Sequence, residues 1–482
     1  MRLLCLSNGH GEDAIAVRIL TALRQSPHPL DIAALPIVGE GHAYLQAGIP
    51  VIGSVKTMPS GGFIYMDGRQ LARDIQGGLL SLTWAQIQAV RSWVRGSEVG
   101  REDRAGKGDK TGKGDSGNGT DRGDFVFSSS SSSPPSSSPP LILAVGDIVP
   151  LLFAWLSGVP YAFVGTAKSE YYLRDEAGWL PRSSWWSDRL ERWTGCVYHP
   201  WERWLMSRPN CKTVFPRDRI TANVLQRFGI PAVDLGNPMM DGLEWGGEDR
   251  GDGEGGEGRE GREGQEVQIS LSPSSSSSSS SASPSSPTLL PLTIVLLPGS
   301  RPPEAYENWD ILLQAVNGLI AQLGRSLVLL AAIAPSLDVE VLHQMVRGYR
   351  WQQTAPDTYA VGVGEQQATL VLASDRYAEF LHRADFAIAM AGTATEQFVG
   401  LGKPAIVIPG NGPQFTSAFA EAQTRLLGAS VSRVEAPIQV TAAIQRLLND
   451  PERLHLIAKN GQRRMGQPGA ADRIARCLLE LP

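Results

Sequence analysis

The strongest constraint on this chain is a repeated alternation of short apolar runs with helical patterns, each run ending in a Gly-, Pro- or polar-rich loop. In the first half the runs are LLCLS, DIAALPIV, LILAVGD, YAFVGT, KTVFP and VDLGNP. In the second half they are LTIVLLP, LVLLAAI, ATLVLAS, FAIAM and PAIVIPG. Between them the helical period returns, as in ENWDILLQAVNGLIAQL, where Leu312, Val316, Leu319 and Ile320 share one face. Strand-like runs alternating with helices predict α/β architecture, with βα units around parallel sheets. Two doubly wound halves place ligands beyond the carboxyl ends of the strands, in the cleft between the halves. The loops after the strands are therefore the places to look for chemistry.

Two stretches belong to no core. One covers roughly 97–140 and contains GREDRAGKGDKTGKGDSGNG before a Ser/Pro tract; the other covers roughly 246–287 and joins GGEGREGREG to poly-Ser. Gly, Ser, Pro and charge at this density bury too little apolar surface to offset ordering entropy, so both are expected to be disordered inserts. Phe125-Val126-Phe127 is an apolar island in the first, and reads as a strand beginning. The expected division is 1–245 for an N-terminal half, 246–287 for a linker and 288–482 for a C-terminal half whose last helix packs back on the first.

The net charge of −5 gives no global pull toward nucleic acid. Four scattered cysteines form no CxxC and no metal-ligand spacing, so no metal is expected. The opening MRLLCLSNGHGED is too short an apolar run for a signal peptide, and no window approaches the roughly 18 apolar residues of a membrane span. The expected compartment is cytoplasmic.

Five loops carry candidate residues. In SNGHGED, Asn8, Gly9, His10, Gly11 and Glu12 follow the first strand. Glu12 and Asp13 open a helix whose positive end they already complement, so a phosphate would be repelled and a neutral hydroxyl-bearing group suits the loop. His10 reads either as a base or donor, or as a turn residue satisfied by backbone. In LILAVGDIVP, Asp147 follows an apolar strand, where a raised pKa suits a general base; capping the next helix is an equally available role, and the two can coexist. In LLPGSRPPE, the turn N–H groups of Gly299 and Ser300 with the Arg301 guanidinium form a plausible anion clamp. In AMAGTATEQ, Thr393 as N-cap and Glu396 three residues on fit a capping box, while Gly392 and the helix N–H groups suit a pyrophosphate and Glu396 a ribose diol. In PAIVIPGNGPQF, Gly410, Asn411 and Gln414 suit sugar hydroxyls or form an ordinary turn.

In this order the loops resemble one family. LLPGSR with Glu304, followed by AMAGTATEQFVGLGKPAIVIP, resembles the donor-site motifs of lipid-A-disaccharide synthase, a GT-B glycosyltransferase. FPRDRITANVLQRFGIPAVDLGNPMMD is similar to a further segment of it, with Asn237 where that family has His. The AGTATE segment is also similar to the peptidoglycan N-acetylglucosaminyltransferase. The opening SNGHGED departs from the synthase turn and, with VGTAKSEYY and its Lys168, resembles the lipid-A-disaccharide-synthase-related group. The resemblance implies two Rossmann-like domains facing a cleft and inverting, metal-free transfer from a UDP-sugar to a lipid or lipid-linked acceptor, with no cofactor beyond that co-substrate. It further implies Gly392, Thr393 and Ser300 on the diphosphate, Arg301 against its growing charge, Glu396 on the ribose and Asp147 as base, with His10 as rival. A sugar-nucleotide 2-epimerase and a non-catalytic nucleotide-sugar binder remain alternatives. An NAD-dependent oxidoreductase is disfavoured, because no strand is followed by GxGxxG with an acid about twenty residues on.

One stretch stands apart. Half of the twelve tryptophans lie between Gly178 and Pro209, from Trp179 to Trp204, interleaved with Arg182, Arg189, Arg192, Arg203 and Arg208. Trp186, Leu190 and Trp193 are expected on one helix face. Indole and guanidinium at this density suit a membrane headgroup region, or an aromatic layer in which Arg stacks on Trp.

Overall fold

A computed structural model describes residues 1–55, 79–96, 139–180, 194–245, 290–362, 367–412 and 414–481, and the backbone alone of His10, Leu79 and Leu80. Both inserts, the Phe125–Phe127 island and the expected Trp186–Trp193 helix face fall outside the described residues.

The N-terminal sheet is wholly parallel, in the order β2-β1-β3-β4-β7. Its strands are β1 (Arg2–Ser7), β2 (Asp31–Pro36), β3 (Pro140–Gly146), β4 (Tyr161–Gly165) and β7 (Cys211–Pro216). In RLLCLS alternate residues serve opposite faces, which explains an apolar run with no polar break. Leu3 and Cys5 join one buried cluster with α1 (His10–Arg24), while Leu4 and Leu6 join another with α3 (Leu79–Val94) and α4 (Ile148–Leu156). β5 (Arg174–Asp175) and β6 (Gly178–Trp179) form a separate two-stranded ribbon.

The C-terminal sheet runs β10-β11-β12-β9-β8-β13-β14-β15. The parallel part comprises β8 (Leu292–Leu297), β9 (Leu327–Ala332), β12 (Ala368–Ala373), β13 (Phe386–Ala389), β14 (Ala405–Val407) and β15 (Val431–Arg433). An antiparallel hairpin, β10 (Gln352–Ala355) with β11 (Thr358–Val361), extends its edge. The apolar pattern does not reveal β10, because all four of its residues are exposed. VDLGNP, read as a strand, is not one: the isolated bridge to Val214 comes from Ala232, just before it, and the run itself is loop up to a short turn at Pro238. The helix α7 (Glu304–Gln322) buries Leu312, Val316 and Leu319, as its period requires.

Strand order locates the two switch points. β1 separates β2 from β3, and β8 separates β9 from β13, so the chain reverses its winding between β1 and β3 and again between β8 and β13. The loops at these crevices are SNGHGED, VGD, PGSR and AMAGTATE.

The chain ends with α14 (Ala470–Leu479), which returns to the N-terminal sheet. Ala471, Ile474, Ala475 and Leu478 share a buried cluster with Leu3, Ile15 and Ile19. Asp241 fixes the start of this helix, accepting from Gly469 N at 2.6 Å and Ala471 N at 2.7 Å. Because Asp241 satisfies otherwise orphaned helix N–H groups, Asp241→Ala is expected to lower unfolding stability by about 1–2 kcal/mol, measured by urea denaturation.

Candidate active site

At the N-terminal switch point, α1 begins at His10 with Gly9 as N-cap, two residues earlier than Glu12-Asp13 suggest. Both acids thus stand within its first turn. The His10 side chain lies outside the described residues. Glu12 and Asp147 approach each other across Gly146. A methyl group added at Gly146, which has φ +130°, would lie 3.2 Å from Glu12 Cγ and 3.5 Å from Asn8 Cβ. Only glycine permits this convergence.

Of the two roles open to Asp147 in the sequence, the geometry shows the cap. It caps α4, accepting from Val149 N at 2.9 Å, and it is 9% exposed. Burial raises its pKa; the Val149 N–H opposes that, the Glu202 charge adds to it, and Lys168 and the Asn8 amide oppose it. Glu12 is perturbed further. Burial pushes its pKa up to about 7 against a hydrogen bond from its own backbone N–H, and the charges of Asp147 and Asp13 add to the rise, with weak relief from Thr166. The Thr166 hydroxyl is 3.5 Å from Glu12 Oε1. Lys168 is held by Glu202 at 2.6 Å, and Glu202 also accepts from His199 N at 2.8 Å. Asn8 is buried, and its Oδ1 has no hydrogen-bond partner among the described residues.

At the C-terminal switch point the loops are laced together by backbone. Met390 N donates to Leu297 O at 2.9 Å, and Gly299, at φ +97°, passes 3.3 Å from Met390 O by the position a side chain would take. Ser300 is exposed, and its carbonyl accepts from Ser336 Oγ at 2.6 Å; Arg301 is half-buried. The capping box does not form. Gly392, not Thr393, is the N-cap of α10 (Thr393–Gly400), so Glu396 is one position too far along to reach the cap and turns elsewhere. Thr393 is left exposed at the first helical position.

Glu396 pairs with Arg217, whose Nη2 lies 2.6 Å from Oε2. Arg217 stands directly after β7, and its Nη1 donates to the Thr166 carbonyl at 3.2 Å. Burial opposes its charge, but Glu396, Tyr172 and Asp218 outweigh that and shift its pKa further up. The sequence Glu12–Thr166–Arg217–Glu396 is thus one continuous set of contacts from the first crevice to the second. It brings the carboxyl ends of the two sheets together.

Two supporting residues, Asn308 and Gln423, escape the motif reading. Asn308, on the buried face of α7, donates to Pro298 O at 3.0 Å and lies against Gly410. Glu304 receives Gln414 N at 3.0 Å and Phe415 N at 2.7 Å, so Gln414 contributes its backbone to holding the loop. Gln423 donates to the carbonyls of Ala391 and Gly392 at 3.2 and 3.3 Å. An amide or acid at a buried-face position of an amphipathic helix is the signal that could have found Asn308. Asn411 lines a cavity of about 680 Å³ with Tyr306, Asp310 and Glu435, which includes no residue of either crevice. Asn237 caps a short turn, accepting from Met239 N at 3.1 Å.

In the aromatic segment Arg174 stacks on Trp179 at 4.1 Å and Arg208 on Trp204 at 4.2 Å, while Trp201 is 58% exposed. No helix of the described residues is long and apolar enough to cross a membrane.

No family model and no curated protein matches the chain. Solved structures do. S. aureus MnaA, in a co-structure with UDP, superposes with a TM-score of 0.51 at 14% identity, covering 99% of this chain and 96% of that one. The glycotransferase of kitacinnamycin gives 0.50 at 14% identity, covering 100% and 99%. Likeness at this identity establishes the fold. The chain has the GT-B fold, two Rossmann-like doubly wound domains facing a cleft.

Two outcomes follow from the electrostatics. Glu396→Ala strands a buried guanidinium and is expected to cost about 3–5 kcal/mol in urea denaturation. Glu12 binds a proton more tightly folded than unfolded, so its contribution is present below its unfolded value of 4.5 and lost as pH rises to about 7. Glu12→Gln should therefore match wild type in thermal stability at pH 4 and exceed it at pH 8.

Proposed function

We propose that this protein is an inverting, metal-independent glycosyltransferase that moves a sugar from a UDP-sugar to a hydroxyl of a lipid or lipid-linked acceptor. The carrying observation is the contrast between two crevices joined through Arg217 and Glu396: carboxylates crowd the first, while backbone N–H groups and Arg301 edge the second. An anionic diphosphate belongs with the second and an uncharged nucleophile with the first. In this reading the N-terminal half, 1–245, takes the acceptor and the C-terminal half, 288–482, the donor.

Gly299, Ser300, Gly392 and Thr393 meet the diphosphate, and Arg301 stabilises the charge that develops on it as the glycosidic bond breaks. Glu396 offers Oε1 to the ribose while Arg217 holds Oε2. Gly410 and Gln414 border the sugar, while Asn411 belongs to the separate cavity beside Tyr306. Asn8, Gly9, Gly11 and Lys168 border the acceptor, and a carboxylate beside them takes its proton. Closure of the two domains excludes water and limits hydrolysis of the donor. A lipid acceptor is supported by the exposed Trp201 and Trp204, which give the N-terminal half a surface suited to membrane headgroups.

The carboxylates of the first crevice also favour a second reading, a UDP-sugar 2-epimerase, since proton abstraction from a sugar carbon needs such groups. Incubation with a UDP-sugar alone separates the two: an epimeric product seen by NMR supports the epimerase.

Calorimetry with UDP and a panel of UDP-sugars tests the donor site, and no binding by any of them sinks the assignment. Glu396→Gln is expected to weaken UDP by about tenfold or more, since it removes a hydrogen bond to a charged group. Flotation with anionic vesicles should be reduced for Trp201→Ala/Trp204→Ala; equal flotation removes the membrane contact.

A further inference from the structure

Resting on the transferase reading, we propose that Glu12, rather than Asp147 or His10, removes the proton from a neutral acceptor hydroxyl that docks against Asn8. The argument begins with hydrogen-bond accounting at the first crevice. Asp147 is already engaged: Oδ1 takes the Val149 N–H at 2.9 Å, and Lys168 and the Asn8 amide favour its anion. A carboxylate committed to a helix cap cannot turn to follow a reacting proton without uncapping α4. Among the described residues, Glu12 has one weak side-chain hydrogen bond, from the Thr166 hydroxyl at 3.5 Å. It therefore keeps acceptor capacity for a substrate.

Asn8 supplies the second observation. Its amide favours the Asp147 anion, and its Oδ1 is left unsatisfied. That oxygen is buried and without a partner among the described residues, and such a group carries a desolvation cost until a donor reaches it. An amide oxygen between two carboxylates selects an O–H donor and repels a phosphate. Asn8 Cβ and Glu12 Cγ both lie about 3.5 Å or less from one point above Gly146, so a hydroxyl at Asn8 is within reach of Glu12.

The charges around Glu12 agree with this role. Asp13 lies on its own helix and Asp147 at the start of α4. Lys168 and Glu202 act on Asp147 from beyond it, and Arg217 binds the carbonyl of Thr166. Two carboxyl groups whose surroundings separate their proton affinities divide the work of anchoring and proton transfer. Asp147, committed to the start of α4, is the anchor. In the step itself the acceptor oxygen bonds to the anomeric carbon as its proton passes to Glu12. The bond from that carbon to the diphosphate oxygen breaks, and its electron pair leaves on UDP.

The test uses the full chain labelled with carbon-13 at the glutamate carboxyl. One resonance is expected to titrate near pH 7, to vanish in Glu12→Gln and to move to lower pH in Asp147→Asn. UDP release from UDP-N-acetylglucosamine, UDP-glucose and UDP-galactose is then followed with water and n-octyl glucoside as acceptors, alongside UDP calorimetry. Glu12→Gln should lose about 100-fold or more in rate together with the rise near neutrality, with UDP affinity within about twofold of wild type. Asp147→Asn should retain that pH limb at a shifted midpoint. A Glu12 midpoint in the ordinary carboxylate range overturns the proposal. So does a Glu12→Gln rate within about fivefold of wild type, or UDP binding without release in wild type. Absence of UDP binding in wild type would instead overturn the transferase reading beneath it.

Discussion

The buried pair of Arg217 and Glu396 is the contact on which the arrangement of the cleft depends. It joins the end of β7 to the first turn of α10, and through the Thr166 carbonyl it reaches the carboxylates of the other crevice. Neither partner could be left alone in so dry a place, because an unpaired buried charge costs more than the pair gains. Any motion that separates the domains must therefore resolvate both, which ties opening of the cleft to water entry. In the proposed reading the same carboxylate meets the nucleotide ribose, so domain contact and donor binding would draw on one group.

Around that pair the two crevices are built from unlike materials. The first collects acids in a low-dielectric corner, and burial together with mutual repulsion lifts Glu12 toward neutrality. The second consists of loops whose geometry is set by backbone and held from behind by Asn308, Glu304 and Gln423. This division suits a reaction with an uncharged nucleophile and an anionic leaving group. It also explains why supporting polar residues are buried on helices that otherwise present apolar faces: they satisfy loop N–H and carbonyl groups that no strand can pair.

Much of this was legible in the residues. Apolar runs ending in Gly or Pro marked the strands, since a doubly covered parallel strand has no polar face to interrupt it. The four loops at the switch points were found from that pattern alone. The misreadings have local causes. VDLGNP is apolar enough for a strand but follows the single bridge at Ala232 as loop, and β10 is a strand too exposed to carry an apolar signal. Thr393 and Glu396 have the spacing of a capping box, yet the helix starts one residue early, on Gly392, and a partner 179 residues away outcompetes the cap. Arg217 was visible only as a charge after a buried strand.

The sequence by itself determined the order of strands and helices, the loops that end them and the chemistry those loops can present. Periodicity and turn residues act over a few positions, and so they can be read locally. Only the tertiary structure decided which carboxylate stands free and which is committed, and which cation closes the cleft. Those outcomes depend on burial and on partners distant in the chain, as when Gly146 lets Glu12 approach Asp147 or Asp241 anchors the returning α14. Proton affinity and pairing follow from solvent exclusion by the whole assembly, and no stretch of residues carries that information alone.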